Sequence, residues 1–183
     1  MPFDPQINMQ KLSSGDPVAQ RSLYEAYKAV LFGICRRYIG DYHEAEDVFV
    51  MAMTKIFKSL DQYSGDGSFE GWMKRIVVNE SLMHLRSKKM HFQEIEHQLV
   101  PIDIEEELDA SMDIAYIIEA INELPDGYRT VFNLYEVEGY KHKEIADELG
   151  ISINTSKSQL ILAKKKLREY LKKKDKDLFR KQA

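Results

Sequence analysis

Gly150 is the residue that most restricts how this chain can fold. It separates two stretches of helical periodicity, one ending at Leu149 and one beginning after Ser152. Glycine alone enters the left-handed conformation that closes a helix without steric cost, and serine is a good N-cap for a following helix. Ala146, four residues before Gly150, is small enough for a second helix to cross close by. Two short helices joined by a glycine turn form a helix-turn-helix, whose second helix enters the DNA major groove. In that second helix Leu160, Ala163, Leu167 and Leu171 recur at three- and four-residue steps, which predicts one buried face. Lys157, Lys164 and Arg168 fall on another face, with Ser158 and Ile161 near them. That face offers charge, hydroxyl and amide groups to phosphates and base edges. A plain helical hairpin with solvated lysines would share the charge run. It would not need the alanine-to-glycine spacing or the polar start of the second helix.

Net charge is −4 over 183 residues, which is unusual for a DNA binder unless the charge is segregated. It is segregated. From Lys157 onward basic residues far outnumber the three acids Glu169, Asp175 and Asp177, whereas residues 90–112 hold seven acids and no Lys or Arg. With 44% apolar and 31% charged residues the chain can stay in water and bury a core. A single cysteine, Cys35, excludes a disulfide framework or cysteine-based metal site within one chain. It lies in an apolar helical pattern and reads as a small buried hydrophobe. The amino terminus lacks a basic segment followed by an apolar core, and the longest apolar run, residues 29–35, is far too short to span a bilayer. The expectation is a cytoplasmic protein that does not insert into membranes.

Strand signals are nearly absent, and proline and glycine punctuate long helical periods, so the fold class is all-α. A short helix is expected around residues 7–12. Asp16 and Pro17 then open a helix reaching residue 39, with Leu23, Tyr27, Val30, Leu31, Ile34 and Tyr38 facing inward. Asp41 and Glu44 form a capping-box pattern ahead of a helix over residues 42–60. Its apolar stripe is Ala45, Val48, Ala52, Ile56 and Phe57, and its first turns carry Glu44, Glu46 and Asp47. After a loop over residues 61–67, Ser68 caps a helix over 69–89. Phe69, Trp72, Met73, Ile76 and Met83 suit its inward face, while Lys74, Arg75, Asn79, Arg86, Lys88 and Lys89 are polar or basic. Aromatic and amide groups beside a basic face are what unpaired nucleic acid requires, although a tryptophan at helical spacing equally suits a core. Residues 90–112, with Pro101 and acids over 103–109, read as a flexible linker with little fixed structure. A helix over 113–124, a Pro125-Asp126-Gly127 break and a helix to residue 137 lead into the helix-turn-helix, and the lysine-rich tail after Leu171 is expected to fray. The domains are therefore 1–89, the acidic linker 90–112, and 113–183.

Taken in order, these pieces resemble the bacterial RNA polymerase sigma factors of the extracytoplasmic-function (ECF) group. Ala45-Glu46-Asp47 resembles the family's Ala-Glu-Asp. Gly67-Ser68-Phe69 with Trp72-Met73-Lys74-Arg75-Ile76-Val77-Val78-Asn79 resembles its Gly-Ser-Phe and Trp-Leu-x-Arg-Ile-Ala-x-Asn signature. Leu124-Pro125, Val131-Phe132, Glu138-Gly139, Glu144-Ile145-Ala146 and Leu149-Gly150-Ile151-Ser152 resemble its carboxy-terminal domain, and Thr155-Ser156-Lys157-Ser158 resembles the opening of its recognition helix. Val50-Met51 stand where Gln-Glu is frequent, Ser156 replaces a packing valine, Gln159 a frequent arginine, and Ile161-Leu162 the usual Ser-Arg. The valine loss is expected to loosen the helix-turn-helix slightly.

The resemblance implies a transcription initiation factor and not an enzyme, with no cofactor and no metal. Its second domain would be a helix-turn-helix of the winged-helix-like, sigma region 4 type. Glu44, Glu46, Asp47, Val50 and Met51 would dock on core RNA polymerase, which presents its beta-prime clamp and beta subunits. Tyr63, Ser68, Phe69, Trp72, Arg75, Asn79, Arg86 and Lys89 would hold the −10 element of promoter DNA as a melted strand. Lys143, Asn154, Thr155, Lys157, Ser158, Gln159, Ile161, Lys164, Lys165 and Arg168 would read the −35 element as duplex. An anti-sigma factor is implied as a further partner, and the free protein would be a monomer. A stand-alone helix-turn-helix regulator is the rival reading, but it would need neither the acidic docking helix nor the aromatic loop. An enzyme is the remoter one: there is no phosphate loop, no metal-ligand cluster and no nucleophile beside a base, and His43, His84, His91, His97 and His142 are scattered.

Overall fold

The computed structural model describes the backbone over residues 5–88 and 114–182 and the side-chain surroundings over 9–88 and 118–174. Lys89, Asp113 and the acidic segment 90–112 lie outside the described residues. Every regular element among the described residues is helical, so the fold is all-α and the helix-turn-helix has no β wing there. The chain divides into two compact units, Met1–Lys89 and Met90–Ala183.

The first unit contains α1 (Pro5–Ser13), α2 (Pro17–Tyr38), α3 (Tyr42–Lys58), a 3-10 turn (Leu60–Gln62) and α4 (Phe69–Ser87). Each long helix starts where a side chain satisfies the first free N–H groups. Asp16 Oδ1 accepts from Val18 and Ala19 N–H at 2.9 Å each, Asp41 Oδ1 from Glu44 N–H at 3.0 Å, and Ser68 Oγ from Gly71 N–H at 3.2 Å. The three helices pack on one another around Leu23, Leu31, Ile34 and Tyr38 of α2, Ala45, Val48, Ala52 and Ile56 of α3, and Met73, Val77, Leu82 and Leu85 of α4. Each fully buried Val, Leu, Ile or Met side chain there contributes about 1.5–3 kcal/mol.

The inward register differs from expectation in two places. Val30 is 46% exposed and Met83 is 53% exposed. The buried line of α4 steps by four through Phe69, Met73, Val77, Ser81 and Leu85. Trp72 and Ile76 sit one position to its side and are half-buried, and Met83 faces out. The capping box is also only half made, because Glu44 does not fold back to Asp41 but crosses to α4. A half-buried ion pair had no sequence signal: exposed Lys55 places its Nζ 2.6 Å from Oε1 of the buried Glu80, joining α3 to α4.

The second unit contains α5 (Ile114–Asn122), α6 (Asp126–Phe132), α7 (His142–Leu149) and the long α8 (Ile153–Gln182). α8 is its spine and packs on all three others. Leu171, Leu167 and Ala163 meet Ala120, Ile121 and Leu124 in one cluster, with Tyr128, Phe132 and Tyr170 against it. Arg129 is buried and clamps the α5–α6 corner, donating to Asn122 O (2.9 Å), Leu124 O (3.3 Å) and the Asp126 carboxylate. The helix expected to run to residue 137 instead widens into a π turn, Asn133–Val137, in which Glu138 N–H reaches Asn133 O at 3.0 Å. This turns both Asn133 and Leu134 inward. The tail after Leu171 does not fray: α8 continues to Gln182, because nothing after Leu171 breaks a helix and Lys174 bonds Glu119 of α5 at 3.0 and 3.2 Å.

Candidate nucleic-acid and protein interfaces

α3 presents one side to the core and the opposite side to water. Ala45, Val48, Phe49 and Ala52 are buried, while Glu46, Asp47, Val50 and Met51 are exposed. Val50 and Met51, at 61% and 58%, are exposed apolar side chains beside two acids that form no close ion pair with Lys or Arg among the described residues. Glu44 does not belong with them. Its carboxylate lies 3.2 Å from His84 Nε2 and accepts from Lys88, and these two, Lys88 first, hold it below the usual carboxylate range. Glu44 therefore fastens the start of α3 to the end of α4. Tyr42, half exposed, was not foreseen, because its position at the start of a helix gives no periodicity signal. Its ring meets Phe32 edge-on at 5.5 Å and lies beneath the Arg36 guanidinium at 5.3 Å.

The loop between α3 and α4 turns through Gly65 and Gly67, at φ 86° and 80°, which L side chains rarely adopt. Tyr63 OH closes it by donating to Gly67 O at 2.8 Å. Three rings gather at its base. Phe69 and Trp72 stack at 5.6 Å with planes 18° apart, and Tyr63 lies 5.1 Å from Phe69 and 5.6 Å from Trp72. Phe69 is buried, whereas Tyr63 and Trp72 are half-buried, and the capping Ser68 is exposed. Along α4 from these rings run Arg75, Asn79, Met83 and Arg86 at three- and four-residue steps. All but the half-buried Asn79 are exposed. Met83 thus stands between an amide and a guanidinium on the polar face, not inside. Lys74 is engaged by Glu70 at 2.7 Å.

The helix-turn-helix closes as its glycine demands. Gly150 sits at φ 66°, and both its N–H and that of Ile151 point to Ala146 O, the latter at 3.1 Å. Ser152 Oγ accepts from Thr155 N–H at 2.9 Å and lies 2.8 Å from Thr155 Oγ1. Thr155 is therefore spent on the cap of α8 and is 8% exposed. Gln159 is 1% exposed. Both residues, expected on the outward face, belong to the interior. One helical turn separates Thr155 from Gln159, and Ser156 and Leu160 are buried beside them. Lys164 is also partly withdrawn, because Glu136 holds its Nζ at 2.7 Å.

The outward side of α8 carries Asn154, Lys157 and Lys165, exposed, with Ser158, Ile161 and Arg168 half-buried. The Ser158 hydroxyl donates back to Asn154 O (3.0 Å) and Thr155 O (3.1 Å), so toward a ligand it offers lone pairs. Lys143 is exposed at the start of α7. Behind this face the expected loosening at Ser156 is offset. Ser156 is fully buried, and its Oγ lies 2.9 Å from Nδ1 of His142, which joins α7 to α8. His142 stacks on Tyr135 at 4.4 Å, 23° from parallel. Burial, then the Lys157 and Lys164 charges, hold its imidazole below the ordinary histidine value, so it is mainly neutral at pH 7.

An acidic-apolar helix face, an aromatic loop with a basic helix and a helix-turn-helix occur here in sequence order. The model of Sigma-70 region 2 matches residues 23–90, and that of Sigma-70, region 4, matches residues 114–167. The chain belongs to the sigma-70 family, and within it to the ECF group. It is 27% identical over 180 residues to the ECF RNA polymerase sigma factor SigW of Bacillus subtilis, covering 90% of this chain and 95% of that protein. It is 26% identical over 172 residues to the ECF RNA polymerase sigma-E factor of Escherichia coli K12, covering 87% of this chain and 90% of that protein. The sigma factor RpoE of Bartonella quintana, solved in complex with the anti-sigma factor NepR, shares the fold with a TM-score of 0.51 at 21% identity, over 83% of this chain and 96% of that one. Membership of the family makes this chain a transcription initiation factor that directs RNA polymerase to promoters. No helix among the described residues is long and apolar enough to cross a membrane.

Proposed function

We propose that this sigma factor docks on the beta-prime clamp of core RNA polymerase through Glu46, Asp47, Val50 and Met51, with a further contact to the beta subunit. The observation that carries the reading is the exposure of two adjacent large apolar residues beside two acids on one helix. A self-contained regulator gains nothing from such a face, whereas a basic partner with an apolar centre would cover it. Glu44 serves the same role indirectly, by fixing the angle at which α3 meets α4.

The −10 element is held as unpaired strand. A flipped base would rest against the Tyr63, Phe69 and Trp72 rings, and the strand would follow Arg75, Asn79, Met83 and Arg86 along α4 toward Lys89. Unpairing and unstacking cost a few kcal/mol per base, and stacking on an aromatic side chain returns about 1–3 kcal/mol of it. Ser68 fixes the start of that helix. The −35 element is read as duplex by Asn154, Lys157, Ser158 and Ile161, while Lys143, Lys164, Lys165 and Arg168 hold phosphates and carry little sequence information. Thr155 and Gln159 support this face from inside. The acidic linker 90–112 would avoid DNA and suits a positively charged channel of the polymerase. An anti-sigma factor that covers these faces would keep the free, monomeric, cytoplasmic protein inactive. No step calls for catalysis.

The test is binding of the full chain to core RNA polymerase beside a Glu46→Lys/Asp47→Lys variant. Tight one-to-one binding that the charge reversal weakens at least tenfold, while the helical content and unfolding midpoint stay unchanged, is the expected result. A folded wild-type protein that fails to bind core would end this reading and favour the stand-alone regulator.

A further inference from the structure

The outward side of α8 holds one residue that its neighbours do not explain. Asn154, Ile161, Lys165 and Arg168 follow one another at three-, four- and seven-residue steps, directly opposite the buried line through Ser156, Gln159 and Ala163. Ser158 and Lys157 flank that row on either side. Ile161 is thus the apolar centre of a ring made of an amide, a hydroxyl, two lysines and an arginine. It is not one of the half-buried side chains that pack against the α5–α8 cluster. From Asn154 to Ile161 the helix rises only about 10 Å, the span of roughly three base pairs, so both residues can address one groove segment. The structure has also removed two competitors, since Thr155 is consumed by the cap and Gln159 points inward. Of the four base pairs' major-groove edges, only those containing thymine present an apolar group, the 5-methyl.

We infer that Ile161 contacts the 5-methyl group of a thymine in the −35 duplex and so sets specificity at that base pair. The inference rests on the duplex-reading role proposed for α8. A branched aliphatic side chain forms no hydrogen bond with a base. It selects by covering the methyl and by leaving an exposed cytosine amino group or purine N7 without a partner. Lys157 and Lys165, one helical turn to either side, would hold the flanking phosphates and seat the isoleucine in the groove.

The experiment uses holoenzyme assembled from the full chain and core polymerase. It first selects binding sites from promoters randomised across the −35 element. Each thymine of the selected duplex is then replaced singly by deoxyuridine, which deletes only the methyl group. One replacement should weaken wild-type binding roughly fourfold, the factor one buried methyl-sized group confers. Ile161→Ala should bind the thymine and deoxyuridine duplexes alike, and Ile161→Val should retain most of the discrimination. The helical spectrum of each variant and its binding to melted −10 strand serve as folding controls. The inference is overturned if no deoxyuridine affects the wild type, or if the same one affects Ile161→Ala equally. Holoenzyme that initiates but shows no −35 preference would instead remove the duplex-reading role, and this inference with it.

Discussion

Replacing Gln159 by methionine should stabilise the second unit and leave promoter choice alone. Gln159 is 1% exposed, and its Oε1 has no hydrogen-bond partner among the described residues. A buried amide oxygen left unpaired costs about 1–3 kcal/mol. Methionine matches glutamine in length and nearly in volume, so the exchange opens no cavity and forces no overpacking. Any bond made by the amide nitrogen is lost with it, worth about 0.5–1.5 kcal/mol, which leaves a net gain of about 1 kcal/mol. For a unit of this size that raises the melting midpoint by roughly 4–8 °C. Two probes separate the units. Far-ultraviolet dichroism reports helix in both, whereas the one tryptophan, Trp72, reports the first alone. The dichroism transition not followed by tryptophan fluorescence should move up, and the fluorescence transition should stay. In the same protein the −35 preference of the holoenzyme should match wild type. A lowered midpoint would mean that the amide is better satisfied than its surroundings indicate. A changed −35 preference would return Gln159 to the DNA face and refute its inward placement.

Two further outcomes follow from titratable groups that the fold covers in part or in full. The folded value of His142 lies below its ordinary 6.5, so the unfolded chain takes up this proton first as pH falls. Stability of the second unit should hold above about pH 7.5, decline as pH drops through 6.5, and level off below the folded value. Urea midpoints across that range should show the slope, and His142→Gln should flatten it; an equal slope in the variant would assign the effect to other groups. Burial pushes the Cys35 thiol up to about 12, so at pH 8 a disulfide reagent should modify it only when the first unit opens, at a rate that rises with denaturant as unfolding does. Rapid labelling of the native protein would contradict that packing.

The helices were legible because their starts are chemical. Asp16, Asp41 and Ser68 are acceptors that N-termini require, and Gly150 occupies a backbone conformation other residues avoid. Three-residue and four-residue periodicity located the cores of α2, α3, α4 and α8 but not which edge of a stripe faces inward, hence Val30 on α2 and Met83 on α4. A helix face is continuous, and only its partner decides where burial stops. The π turn at Asn133–Val137 was invisible for a related reason: α and π turns differ by one hydrogen-bond step, and local propensity hardly separates them. Polar residues were misplaced most. Thr155 and Gln159 lie in the most nucleic-acid-like segment of the chain, yet a cap and a buried crossing claim them.

That sorting explains how a chain of net charge −4 can hold DNA. Several charges are paired within the fold. Glu44 is taken by Lys88 and His84, Glu80 by Lys55, and Lys164 is held in part by Glu136. Beside Val50 and Met51, α3 keeps two exposed acids, Glu46 and Asp47, whereas the side of α8 proposed for DNA keeps exposed Lys157 and Lys165. Screening confines the reach of each charge to about 8 Å at physiological salt, so a phosphate at Lys157 or Lys165 feels chiefly those lysines. Net charge governs long-range approach, while the local arrangement governs contact. A salt titration should therefore separate the two faces. Duplex binding through α8 should weaken steeply with salt, with a slope set by the few lysines and arginines that meet phosphate. Docking through Val50 and Met51, whose burial is apolar, should weaken far less. Equal salt slopes for the two would mean that the exposed apolar pair on α3 contributes little to docking.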